Sequence, residues 1–118
     1  MGQSSRMQGN WEPYVVHGTR HPGVWIYGLD ASGGKELTAR LEPSGFTHPH
    51  THSGTETVTV LDGEGEIDVD GVVHPLGAGD TFTIPAGTPH SLRNKTARDL
   101  TVHAAFHPSF FEQETLLR

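Results

Sequence analysis

The sequence contains no cysteine, so neither a disulfide framework nor a thiolate metal site is available to it. Basic residues are also scarce: Lys and Arg number 8 against 14 Asp and Glu, which gives a formal net charge of −6 at pH 7. This balance disfavours binding to nucleic acid or to an anionic membrane surface, because both require a basic face. Because cysteine is absent, any transition-metal site must use histidine and carboxylate side chains.

Long apolar stretches are missing as well. No segment approaches the roughly 20 consecutive apolar residues of a membrane-spanning helix. The first residues, Met1 to Arg6, lack the apolar core of a secretory signal. On these grounds we expect a cytoplasmic protein with no membrane partner.

The length of 118 residues predicts one domain. Residues 1–10 are polar and without periodicity, so we expect a flexible N-terminal segment followed by a single domain over residues 11–118. The 15 glycines and 8 prolines favour many turns over long helices.

Alternation of apolar and polar residues indicates an all-β fold. In Glu36 to Glu42, Leu37, Ala39 and Leu41 share one face, which is typical of a half-buried antiparallel strand. Leu100 to Phe106 alternates in the same way. Short strands of this kind, separated by turns, predict a barrel or a sandwich.

One alternating segment places a carboxylate among apolar side chains. Glu56 shares a face with Val58 and Val60, so an inward-facing Val58 brings Glu56 inward too. Burying a carboxylate is costly unless it is paired or bound to a cation. The opposite orientation, with the threonines of this strand inward, would leave the strand without core residues.

Three histidines precede this strand at spacings of two. In an extended chain His48, His50 and His52 project from the same face, and with Glu56 they would form half of a metal site. His90, which follows a tight turn rich in proline and glycine, is the candidate for the other half.

Together these two stretches resemble the motifs of the cupin superfamily. The first motif is matched by Gly45, His50, His52, Glu56 and Gly63, with four residues rather than five between its first glycine and first histidine. The second motif is matched without departure by Gly79, Pro85, Gly87, His90 and Asn94.

The resemblance implies a jelly-roll-like cupin barrel, a double-stranded β-helix, with one divalent metal held by His50, His52, Glu56 and His90. Fe, Mn, Ni, Co, Cu and Zn all suit three imidazoles and one carboxylate. A six-coordinate ion would keep two open positions, as a catalytic site requires. The superfamily contains oxygenases, isomerases, lyases and non-catalytic binders, so the resemblance implies no single reaction.

The role of His48 is left open between three alternatives. It would replace His50 as a ligand if the strand shifted by two residues, because such a shift preserves the side-chain face. It would act as a base or as a support of the ligands if it lay over the open coordination positions. It would be a surface histidine if it lay at the mouth of the barrel.

Other aromatic residues give weaker expectations. Trp25 and Tyr27 lie on one face of a strand, where they would line a substrate pocket or belong to the ordinary core. His17 and His21 are expected in exposed loops.

A capping-box pattern at Ser109 to Glu112 predicts a short C-terminal helix to about Leu117. The apolar side chains of this tail, with the small size of the chain, favour a homodimer; they are Phe110, Phe111, Leu116 and Leu117.

These observations lead to one functional hypothesis and two alternatives. We expect a metal-dependent enzyme that acts on a small oxygenated molecule, as a dioxygenase-type oxidoreductase. The first alternative is a non-redox isomerase, epimerase or lyase acting on sugars or uronates, with His48 as base. The second is a small-molecule-binding protein without catalysis.

Overall fold

The computed structural model describes residues 11–27, 35–107 and 115–117, and within these ranges it contains eleven strands and no helix. The strands are β1 (Glu12–Val16), β2 (Thr19–Tyr27), β3 (Glu36–Leu41), β4 (His50–Thr51), β5 (Thr55–Asp62), β6 (Glu64–Val69), β7 (Val72–Gly77), β8 (Thr81–Ile84), β9 (His90–Arg93), β10 (Leu100–His107) and β11 (Thr115–Leu116).

The strands form two antiparallel sheets. One has six strands in the order β1-β2-β3-β10-β5-β8, and the other has five in the order β11-β4-β9-β6-β7. The chain crosses between the sheets several times, since β5 and β8 lie in one while β6 and β9 lie in the other. A single core cluster contains residues of both sheets, including Val60 of β5 and Ile67 of β6. The predicted all-β fold is therefore confirmed for the described residues, as two antiparallel sheets around one core.

Alternation along the strands determines which side chains form this core. Leu37, Ala39 and Leu41 of β3 are buried, as are the four inward residues of β10, and the side chains between them are more exposed. Each fully buried aliphatic side chain contributes about 1.5–3 kcal/mol relative to an exposed one. The inward faces predicted for these strands are the observed ones.

The C-terminal prediction requires a correction. Residues 109–114 of the predicted helix lie outside the described residues, but Thr115 and Leu116 form a strand instead of a last helical turn. They pair with Thr51 and His50 of β4, and Leu117 N donates to the Pro49 carbonyl at 2.9 Å. Local helix signals are weak priors that such tertiary pairing overrides.

The N-terminal segment over residues 1–10 and the apolar pair Phe110 and Phe111 lie outside the described residues, so those expectations stay predictions. In the part of the chain that the structure describes, no helix has the length and apolar character needed to cross a membrane.

The segment that leads into β4 passes close to β2, and two glycines make this contact possible. A Cβ added to Gly23 would lie 2.9 Å from the Cα of Gly45, and one added to Gly45 would lie 2.8 Å from the Gly23 carbonyl oxygen. Gly23 also has a φ of 70°, a conformation that favours glycine. The segment that leads to the histidines therefore packs backbone against backbone on β2.

Asn94 then joins the two motif segments. Its amide nitrogen donates to the carbonyls of Leu41 at 2.9 Å and Arg98 at 2.7 Å, while its side-chain oxygen accepts from the Thr96 backbone and hydroxyl. Its backbone N–H donates to the Gly45 carbonyl at 2.9 Å. Asn94 therefore stabilises this turn through hydrogen bonds.

Candidate metal centre

Three strands bring the candidate ligands together. His50 opens β4 and lies directly opposite His90, the first residue of β9, while His52 follows β4 and Glu56 lies near the start of β5. Glu56 is inward because it shares the face of Val58 and Val60, as the sequence alternation predicts.

These four side chains form one buried cluster. One ligand atom from each of His50, His52, Glu56 and His90 lies within 4.8 Å of the others. Glu56 Oε1 is 3.0 Å from His90 Nε2 and 3.3 Å from His52 Nε2. All four residues are at most 8% exposed, so their mutual contacts replace contacts with water. The set combines three nitrogen donors with one carboxylate, a combination that suits divalent transition metals.

Backbone carbonyls orient two of the imidazoles. His50 Nδ1 lies 2.5 Å from the His48 carbonyl oxygen, and His90 Nδ1 lies 2.9 Å from that of Thr88. A ring that donates its Nδ1 proton outward presents Nε2 to the cluster, which is the usual support of a metal-binding histidine.

His90 provides the fit test for a cation. Its Nδ1 faces the Thr88 carbonyl, and its Nε2 faces the Glu56 carboxylate. Because both partners are acceptors when Glu56 is ionised, the ring must then either carry two protons or share a cation with Glu56. A divalent metal held by His90 and Glu56 would satisfy both groups, so these residues fit the ion.

The electrostatics of Glu56 agree with this fit. Burial raises the pKa of Glu56, but hydrogen bonds from His52 and His90, together with the positive charge of these rings, outweigh burial and hold the pKa below its ordinary range. The carboxylate is therefore ionised at neutral pH, which is the form that binds a metal.

The structure does not bring His48 into this cluster. The i, i+2 pattern holds for His50 and His52, whereas His48 is half-buried and its Nε2 donates to the Arg20 carbonyl at 3.3 Å. Its backbone carbonyl nevertheless supports His50. The side chain's role as a base stays a prediction, as does the ligand role of His50, which is the histidine that the structure places in the cluster.

His21 is the residue that sequence reasoning missed. It was expected in an exposed loop, but it is fully buried, stacked on Tyr14 with ring centroids 4.3 Å apart. Its Nδ1 accepts the His48 backbone N–H at 2.9 Å, so it anchors the residue whose carbonyl supports His50. Alternation counted back from Val24 places position 21 outward. The irregular backbone at Gly23 reverses the alternation, so His21 faces inward. The glycine inside the strand was the signal in the sequence that indicates such a change of face.

Trp25 and Tyr27 lie away from the metal cluster. Val24 and Ile26 take the inward positions of β2, so the two aromatic rings lie on the opposite face. There the guanidinium of Arg40 lies 5.9 Å from the Trp25 ring centroid, and Tyr27 contacts the Trp11 ring. Neither ring lines the cavity beside the cluster, so this placement gives no support to their predicted substrate role.

Comparison with known proteins identifies the family. The sequence profile of the cupin domain matches residues 37–106, which is more than half of the chain. This match includes His50, His52, Glu56 and His90. The protein therefore belongs to the cupin domain family, as the resemblance of its motifs implied.

Three relatives illustrate the range of the family. The chain is 47% identical over 67 residues to quercetin 2,3-dioxygenase of Bacillus subtilis, covering 57% of this chain and 18% of that protein. It is 37% identical over 60 residues to the HTH-type transcriptional regulator PuuR of Escherichia coli, covering 51% and 32%. A sugar phosphate isomerase of the cupin superfamily from Silicibacter pomeroyi has a TM-score of 0.69 at 25% identity, covering 84% and 69%. The chain thus spans less than a third of each of the two curated relatives.

Proposed function

We propose that this protein is a metal-dependent cupin enzyme that acts on a small oxygenated molecule, as a dioxygenase-type oxidoreductase. The observation that carries the proposal is the convergence of His50, His52, Glu56 and His90 in one buried cluster. Its similarity to quercetin 2,3-dioxygenase over 67 residues supports the oxidoreductase class.

The cluster residues, the backbone carbonyls beside them and the apolar lining have separate roles in the proposed site. His50, His52, Glu56 and His90 would hold Fe, Mn, Ni, Co, Cu or Zn, and such an ion would supply a Lewis acid with open coordination positions. The carbonyls of His48 and Thr88 fix the ring orientation of His50 and His90. The mostly apolar lining of the cavity beside the cluster would limit the water there and so strengthen the electrostatic interactions inside.

The test begins with metal binding. Metal-free protein is titrated with each of the six divalent ions while the melting temperature is measured, because an ion that binds only the folded state stabilises it by about 2.7 kcal/mol at a hundredfold excess over Kd. Oxygen uptake is then measured with small thiols, diketones, catechols and flavonols. Glu56→Gln provides the control that keeps the shape of the site. Absence of uptake with every ion would reject the oxygenase reaction.

An isomerase, epimerase or lyase acting on sugars or uronates is the second candidate, and the Silicibacter pomeroyi isomerase favours it. In this reaction class His48 would move a proton, after its ring leaves the Arg20 carbonyl. Turnover of sugar phosphates or uronates without oxygen uptake would support it. Loss of turnover in His48→Ala, with metal content unchanged, would assign the base.

A binding protein without chemistry is the third candidate, and similarity to part of a transcriptional regulator favours it. Tight binding of a small molecule that persists after the metal is removed would support this role. Ligand binding that requires the metal would count against it.

A further inference from the structure

A small interior cavity lies beside the metal cluster, and its size bears on what the site can take. His50, His52, Glu56 and His90 form part of its wall, and apart from Thr47 the remaining lining side chains are aliphatic or aromatic. The inference drawn from it deepens the proposed function, because the cavity matters to catalysis only if the cluster holds a metal.

The cavity volume is about 40 Å³. This is well below the roughly 150 Å³ of an engineered apolar cavity that binds benzene. An aromatic ring with six carbons does not fit. The walls are the buried faces of hydrogen-bonded strands, including Leu41 and Val102 at 0% and 1% exposure. Such close-packed interiors resist expansion.

Phe106 is the largest apolar side chain placed next to the ligands. It lies directly opposite Glu56 in the pairing of β10 with β5. Its ring contacts that of His52 edge to face, with centroids 4.9 Å apart. Phe106 is itself 5% exposed, so its ring fills space that would otherwise join the cavity.

We propose that the site accepts only a ligand whose inserted part is smaller than a six-carbon ring, and that Phe106 sets this limit. The part of the ligand that points away from the metal must be apolar, since the cavity wall there carries no charge. This protein would therefore not take a flavonol ring into the barrel. Phe106 acts as a specificity-determining residue, because its ring occupies the volume that a larger substrate would need.

The first experiment uses metal-free protein. Xenon and benzene are added separately, and the methyl resonances of cavity residues such as Val102 and Ala104 are followed by NMR. We expect xenon, a single apolar atom, to shift these resonances and benzene to leave them unchanged. In Phe106→Ala we expect benzene to shift them as well.

Phe82→Ala is the matched control, because Phe82 packs against the core without lining the cavity. It should respond as the wild type does. If Phe106→Ala does not fold, Phe106→Leu with cyclopropane as the probe replaces it. Wild-type protein whose cavity resonances respond to benzene would by itself overturn the proposal, and so would an enlarged variant that excludes the larger probe.

A second experiment separates this inference from the proposed function. Protein loaded with Co(II) is titrated with azide, which has three atoms, and with benzoate, while the visible spectrum is recorded. We expect azide alone to change the wild-type spectrum and both anions to change that of the Phe106 variant. A wild-type response to benzoate would overturn the size limit. Failure to retain cobalt would contradict the metal site, while the gas and benzene results on metal-free protein would still decide the size limit.

Discussion

The inner face of β5 and the outer face of β6 place a glutamate in opposite environments. Glu56 of β5 faces inward, is buried, and lies 3.0 Å from His90. Glu66 of β6 faces outward, with its side chain 30% exposed, and pairs at 3.4 Å and 3.5 Å with Arg93 and Lys95. One carboxylate therefore depends on its protein neighbours, while the other retains water.

The comparison shows that burial makes a carboxylate depend on the positive charge of its protein neighbours. An exposed ion pair contributes about 0–1 kcal/mol and is screened by salt. A buried carboxylate without a partner costs several kcal/mol, so its neighbours must supply positive charge. Around Glu56 these neighbours are imidazoles, which bind metals when neutral. The contrast between the two faces can be tested with paired substitutions.

The largest difference is expected between the two glutamates. Glu56→Gln removes the anionic ligand and should weaken metal binding by more than about a hundredfold, since loss of even an indirect partner of a ligand costs 10–100-fold. Glu66→Gln should leave metal affinity unchanged. Isothermal titration with Zn(II) or Co(II) measures both. Equal affinities for the two variants would remove Glu56 from the site.

The second test compares adjacent residues of β5. Val60 is 1% exposed, and Val60→Ala should lower the free energy of unfolding by about 2 kcal/mol, because it leaves a cavity in the core. Thr59 lies on the outer face, so Thr59→Ala should change it by less than about 0.5 kcal/mol. Urea unfolding of metal-free protein gives both values. A larger loss for the threonine variant would mean that the inner face has been misassigned.

The third test concerns buried and exposed histidines. His21→Phe keeps a ring against Tyr14 but removes the acceptor of the His48 N–H, so the carbonyl that supports His50 loses its anchor. We expect metal affinity to fall about tenfold, at the low end for outer partners of a ligand. His103→Phe, on the outer face beside Glu36, is the control and should have no effect. A variant of His21 with unchanged affinity would show that Tyr14 packing alone positions this segment.

The smallest effect is expected at the edge of the five-stranded sheet. Leu117→Pro removes the N–H that donates to the Pro49 carbonyl, whereas Leu117→Ala keeps it. One such hydrogen bond contributes about 0.5–1.5 kcal/mol, so metal affinity should fall by less than about tenfold in the proline variant alone. Hydrogen exchange at Thr51 checks the loosening of β4 independently. Equal exchange in the two variants would show that β11 does not support β4.

Much of the site could be predicted because it obeys strand alternation. The inward position of Glu56 follows from Val58 and Val60, and the two motif segments contain His50 and His90 at recognisable spacings. The predictions that were wrong concern residues where the alternation is interrupted or where tertiary pairing outweighs the local pattern. His21 lies before the irregular Gly23, and the strand at Thr115 depends on pairing with β4, which no local pattern in that segment contains.

The contact between Gly23 and Gly45 constrains how this sequence can vary. Neither position tolerates an added methyl group unless the facing backbone moves, and that movement would displace the segment that ends at His50. A larger residue at one of the two positions therefore cannot be compensated by a smaller residue at the other, because that position is already glycine. A library randomised at both codons and selected for metal retention should return glycine at both, and double substitutions should be as rare as single ones.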